Sequence, residues 1–130
     1  MTHAVKKTYA LILLFWGIML LPGNRAAART FFVNAAEGND GNSGLTAEAA
    51  WKTIPRANAA LARGAVQDGD TLAFRRGSAY TGSLTIAASG KLGRPLVVCA
   101  YGAGAPPVID AVYDYYGVSI RGSHIVIGDL

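Results

Sequence analysis

Short apolar pairs separated by polar turns recur along the second half of this chain: Leu72/Phe74, Leu84/Ile86, Leu96/Val98, Val108/Ile109, Val118/Ile120 and Ile125/Ile127. The first members of the first four pairs stand twelve residues apart. Within most of them apolar and polar positions alternate, as in Ser83-Leu84-Thr85-Ile86 and Gly117-Val118-Ser119-Ile120. That period of two predicts short strands with one face turned inward. Turn clusters such as Arg76-Gly77-Ser78, Gly93-Arg94-Pro95 and Gly102-Ala103-Gly104 end each run abruptly. An earlier strand is predicted at Phe31-Phe32-Val33.

One segment carries a different period. Ile54, Ala57 and Leu61 are spaced i, i+3, i+7 and predict one amphipathic helix over 54–63. Thr53 suits the N-cap, Pro55 the first turn, Arg63 the last turn and Gly64 the position past the end. Burying Trp51 beside this helix would remove ~150–250 Å² from water, worth at most ~4–6 kcal/mol gross. Residues 38–44, Gly-Asn-Asp-Gly-Asn-Ser-Gly, form a loop. Asn39, Asp40, Asn42 and Ser43 offer oxygen to a hard cation, but only Asp40 and nearby Glu37 supply charge, so a hydrogen-bonded turn is the expectation.

Short strands at this spacing suit a β-sandwich, a barrel or a parallel β-helix. Strands of three to five residues with abrupt Gly or Pro corners favour the β-helix. So does residues 119–127, a corner with no Asn-Gly or Asp-Gly hairpin signal. A sandwich would instead pair residues 84–86 antiparallel with 96–98.

The N-terminus changes what the charge means. Lys6 and Lys7 precede an apolar run over 9–21, then Pro22-Gly23-Asn24 and Ala26-Ala27-Ala28. The run is shorter than the ~20 residues of a membrane span. Residues 1–28 therefore read as a signal peptide cleaved after Ala28, giving a secreted or periplasmic product with no stable membrane anchor. The whole chain has 12 Lys and Arg against 8 Asp and Glu. Lys6, Lys7 and Arg25 would leave with the leader, so 9 basic residues then face 8 acidic ones. No basic patch argues for nucleic acid. Cys99 is the single cysteine, set in the apolar run Leu96-Val97-Val98-Cys99-Ala100, and reads as a buried small hydrophobe.

Chemistry-bearing residues are few. Tyr113, Tyr115 and Tyr116 gather three of the six tyrosines in one segment. Tyrosine offers a sugar an apolar face and a polar tip, so these three are the candidate substrate-binding residues. Asp110, Asp114 and Asp129 invite comparison with glycosidase carboxylates, and Arg121 and His124 with the cation and base of a lyase. All sit where polar corner residues belong, and no catalytic or metal-binding residue is assigned. The chain has no phosphate-binding glycine loop, no metal-spaced His/Cys cluster and no nucleophile elbow.

A set of short motifs in fixed order resembles the N-terminal part of right-handed parallel β-helix proteins of the pectate-lyase-like superfamily. Here they are Phe31-Phe32-Val33, Gly38-Asn39-Asp40, Trp51-Lys52-Thr53-Ile54, Gly69-Asp70-Thr71, Arg76-Gly77, Tyr101-Gly102 and Val108-Ile109-Asp110. The resemblance implies an all-β fold in which residues 29–70 cap the end of a solenoid and 71–130 form its first one or two coils. Leu72, Phe74, Leu84, Ile86, Leu96 and Val98 would fill those coils. It further implies an exported protein that acts on or binds polysaccharide, as a lyase or a glycoside hydrolase. The active residues of such proteins lie on later coils, so the expectation is an inactive N-terminal fragment. No cofactor is implied for this chain; calcium is left open for a full-length family member. A non-catalytic surface adhesin and a small β-sandwich carbohydrate-binding module are the alternatives.

Overall fold

The structure is a computed structural model that describes residues 27–130. The apolar run 9–21 and its flanking lysines lie outside the described residues. The chain runs as β1 (Thr30–Val33), α1 (Ile54–Ala62), β2 (Thr71–Arg75), β3 (Ala79–Thr81), β4 (Leu84–Ile86), β5 (Leu96–Tyr101), β6 (Val108–Asp110), β7 (Val118–Ile120) and β8 (Ile125–Ile127). Among the described residues it is mostly sheet with one short helix, as the periodicity predicts.

Every pairing between these strands is parallel. β1, β2, β5 and β8 form one sheet in that order, β3 pairs with β6, and β4 pairs with β7. The chain thus passes three faces in succession through β2, β3 and β4, then lays β5, β6 and β7 beside them in the same order. Parallel neighbours need a long connection between them, and the route past the other two faces supplies it. The antiparallel pairing of residues 84–86 with 96–98 does not occur. β4 pairs with β7, and β5 sits between β2 and β8.

Alternation sets the core. Leu72, Phe74, Leu84, Ile86, Leu96 and Val98 are all fully buried, as expected. Tyr80 joins them edge-on to Phe74 at 5.0 Å, and its hydroxyl donates to the Val33 carbonyl at 2.9 Å. Burial raises the pKa of this phenol, against the lowering by its backbone hydrogen bonds. The twelve-residue comb fails at its fourth tooth. Val108 is exposed and Ile109 packs against the core, because adjacent residues cannot share one face. Cys99 likewise departs from expectation. Leu96 and Val98 take the inward positions of β5, so Cys99 lies on the outer face, half-buried. Burial raises its thiol pKa, with the Asp129 carboxylate acting in the same direction.

The helix lies over β4 as a lid. The Thr53 hydroxyl accepts from the Arg56 amide and Pro55 occupies the first turn; Arg63, expected in the last turn, is instead the C-cap, one residue past the helix. Ile54, Ala57, Ala60 and Leu61 form the buried stripe. Trp51 is 1% exposed, stacks on Phe31 at 5.1 Å and carries the Arg56 guanidinium 4.3 Å above its ring. The free edge of β4 is finished by a helix side chain: Asn58 Oδ1 accepts from the Thr85 amide at 2.8 Å, and Asn58 Nδ2 donates to the Ser83 carbonyl at 2.9 Å. An amide side chain here does for the strand edge what another strand would do.

Candidate functional site

The two passes differ most at one corner. In the first, Gly82 and Ser83 alone join β3 to β4. In the second, residues 111–117 join β6 to β7. The extra residues carry the tyrosine cluster. Their base is pinned: the Asp114 amide donates to the Ala111 carbonyl at 3.1 Å, the Leu84 amide to the Gly117 carbonyl at 2.9 Å, and the Ser83 hydroxyl to the Tyr116 carbonyl. The rings are not packed away. Tyr113 is 95% exposed and Tyr115 99%.

This loop forms one wall of an open groove of about 380 Å³ beside the β4–β7 face. The floor follows from the strand alternation. Leu84 and Ile86 point inward, so Thr85 points out, and the register places Ser119 directly beside it. Asp114, Tyr115 and Tyr116 line the loop side, and Asn58, Ser83 and Arg121 complete the rim. Tyr113 does not line the groove. The site combines two aromatic rings, hydroxyls, one carboxylate and one guanidinium. Such a surface can stack on a sugar ring and hydrogen-bond its hydroxyls.

The remaining polar candidates are dispersed. Asp114 is the only one of the three considered aspartates that lines the groove. Asp129 instead faces the Arg76 guanidinium at 3.1 Å, and Asp110 is exposed on β6. Glycoside cleavage needs two carboxyl groups ~5–9.5 Å apart across the scissile bond, and this groove offers one. His124 sits in the left-handed region, φ 55°, at the corner before β8, with Nδ1 3.2 Å from the Ser123 hydroxyl. Sequence reasoning missed Asn58, Ser83, Thr85 and Ser119. The signal for Thr85 and Ser119 was present in the alternation, as the polar partners of inward Leu84, Ile86 and Val118.

The loop over 38–44 is occupied by its own hydrogen bonds. Asp40 Oδ1 accepts from the Lys52 and Thr53 amides at 2.8 and 3.0 Å, and Oδ2 from the Thr53 hydroxyl at 2.6 Å. Burial alone would raise this carboxyl. The Thr53 hydroxyl, the two amides and the Arg56 charge outweigh it and hold the pKa below the usual value. A carboxylate so engaged does not fit a calcium ion that needs 6–8 oxygens.

No protein-family model and no curated protein matches the chain. Solved structures do, among them the following two. The selenomethionine derivative of a GH136 lacto-N-biosidase from Eubacterium ramulus superposes with a TM-score of 0.67 at 23% identity, over 78% of this chain and 20% of that one. The native crystal structure of a GH136 lacto-N-biosidase from the same organism gives 0.57 at 29% identity, over 62% of this chain and 12% of that one. The chain therefore spans about a fifth, or less, of the length of these proteins.

Proposed function

We propose that this chain is the exported N-terminal section of a right-handed parallel β-helix of the pectate-lyase-like kind, and that it belongs to a polysaccharide-active protein of the glycoside hydrolase type. Residues 29–70 are its cap and 71–130 its first coils. Support for the solenoid comes from three parallel pairings that repeat in chain order. Support for the carbohydrate reading comes from the likeness to a lacto-N-biosidase, a protein whose name states action on a glycan. The observation that carries the reading is the groove on the β4–β7 face, which Tyr115 and Tyr116 line together with the polar Thr85 and Ser119.

In this reading the section binds and does not cleave. The tyrosines stack on a sugar ring, Thr85 and Ser119 take hydroxyls, and Arg121 and Asp114 fix orientation. The reacting carboxylates belong to further coils, stacked on the edges of β6, β7 and β8. Native electrophoresis through gels cast with neutral and with uronate polysaccharides tests this. The expected result is retardation by at least one polysaccharide, lost in the Tyr115→Ala/Tyr116→Ala variant. Unchanged mobility of the wild type in every gel rejects glycan binding by this section.

A further inference from the structure

We infer that cleavage after Ala28 creates an α-ammonium group on Arg29 that docks on the carboxylate of Asp70, so that export processing itself tightens the capped end of the fold. This rests on the exported reading above. It concerns a different part of the molecule from the groove.

The geometry is already in place around the Arg29 nitrogen. That nitrogen lies 2.9 Å from Asp70 Oδ1. The Arg29 carbonyl accepts from the Thr71 amide at 2.8 Å, and its guanidinium donates to the Ala65 carbonyl at 2.8 Å and lies 5.0 Å over the Phe31 ring. The residue is thus held at its carbonyl and at its side chain as well as at its nitrogen. Ala27 and Ala28 before it are exposed and outside any strand.

Asp70 is 3% exposed. Its Oδ2 accepts from the Gln67 amide at 2.9 Å and faces the Arg29 guanidinium at 3.5 Å. That guanidinium is 40% exposed, so solvent screens it. A buried carboxylate is costly unless a charge pairs it closely. In the uncleaved chain the nearest donors, both at 2.9 Å, are neutral amides. Hydrolysis of the Ala28–Arg29 bond adds water across it. Hydroxyl goes to the Ala28 carbonyl carbon, hydrogen to the Arg29 nitrogen, and the free amine takes one more proton from solvent at neutral pH. The same nitrogen then carries a full positive charge, and a neutral hydrogen bond becomes a charge-assisted one.

The pH dependence has a definite sign. A free α-amino group titrates near 7.7–8.0. Pairing with Asp70 raises the folded value, while the Arg29 guanidinium opposes it. On the neighbouring turn Asp68 pairs with Arg94 at 3.0 Å and with Lys91 at 3.9 Å. The stabilisation is fully present below the unfolded pKa and is lost as pH rises through the folded one.

The test begins with the full chain expressed in a secreting host. Mass spectrometry of the exported product should show Arg29 as its first residue. A product starting elsewhere overturns the processing step. The docking is then measured separately, on a chain starting at Arg29 and one starting at Ala27. At pH 6 the Arg29 form should melt about 4 °C higher. That difference should vanish above pH 10 and be absent when both chains carry Asp70→Asn. Equal melting at pH 6, or a difference that survives Asp70→Asn, overturns the docking. Should Asp70→Asn fail to fold, NMR titration of the Arg29 amino group decides, with a pKa above 8 expected and one at or below 8 contrary.

Discussion

The two ends of the strand stack contain the same kind of sequence and reach opposite states. Ile86 on β4 and Ile120 on β7 are register partners in one alternating pattern, yet Ile86 is 0% exposed and Ile120 53%. The difference lies in what stands beyond each. α1 packs over β4, the strand of Ile86; Ile120 has no such cover among the described residues. Alternation decides which way a side chain points, and a cover decides whether pointing inward becomes burial. A period-two pattern alone therefore overstates the core at an uncovered end.

The sharpest way to break that comparison is to remove the lid. Trp51→Ala deletes a ring that is stacked on Phe31 and buried under α1. Its expected cost is about 3–5 kcal/mol in urea unfolding. Ile120→Ala in the same assay should cost under about 1 kcal/mol, since more than half of its surface stays in water on folding. Equal costs would mean that the ends are alike in solution.

A glycine pair sharpens the same contrast. Gly44 has φ 77°, and a Cβ there would meet the Trp51 ring at 2.5 Å. Gly93 has φ 76°, with open space around a Cβ. Both alanine variants bear the left-handed penalty of about 1–2 kcal/mol. Gly44→Ala must also displace the ring of the lid and should lose clearly more, read as a lower urea midpoint than Gly93→Ala. Matching midpoints would show that the tryptophan yields freely.

The helix, its N-cap and the inward positions of β2, β4 and β5 were legible because each depends on neighbours a few residues away. Thr53 caps the Arg56 amide three residues on, and Leu84 and Ile86 alternate within one strand. The groove was only half legible. Tyr115 and Tyr116 stand out by clustering, but their partners Asn58, Ser83 and Ser119 come from three separate segments. What joins them is parallel register, and an evenly spaced comb cannot give register when one connection is five residues longer than its counterpart. Val108 faces out because it stands beside the exposed Ala79, while its neighbour Ile109 stands beside the buried Tyr80. Cys99 was misread because an apolar run looks buried on both faces, whereas here one face of β5 is only half-covered.

The loop that braces the lid should respond to acid. Asp40 has a pKa held below its usual value in the fold, with burial opposing and the Thr53 and Lys52 hydrogen bonds prevailing. A depressed carboxyl stabilises above its unfolded pKa of about 3.9, and the contribution is lost as pH falls through the lower folded value. Melting temperature should therefore drop more steeply below pH 4 in the wild type than in Asp40→Asn, whose curve starts lower at pH 7. Parallel curves would remove Asp40 as the brace.

The smallest effect on stability is expected at the loop that the second pass adds. Tyr113 and Tyr115 are almost wholly exposed, so truncating either removes little buried surface. Tyr113→Ala and Tyr115→Ala should each lie within about 0.5 kcal/mol of the wild type. They should separate in polysaccharide retention, because Tyr115 lines the groove and Tyr113 does not. A ring that stacks on sugar from a wall of the groove is lost with Tyr115→Ala, while Tyr113→Ala leaves both walls intact. If the two variants lose retention equally, the loop acts as a diffuse aromatic surface and the groove has no part in recognition. If neither loses it while the wild type is retarded, the binding surface lies elsewhere on the capped stack. Stability measured beside retention keeps these outcomes distinct, since the Ser83 contact to the Tyr116 carbonyl involves no tyrosine side chain and survives both substitutions.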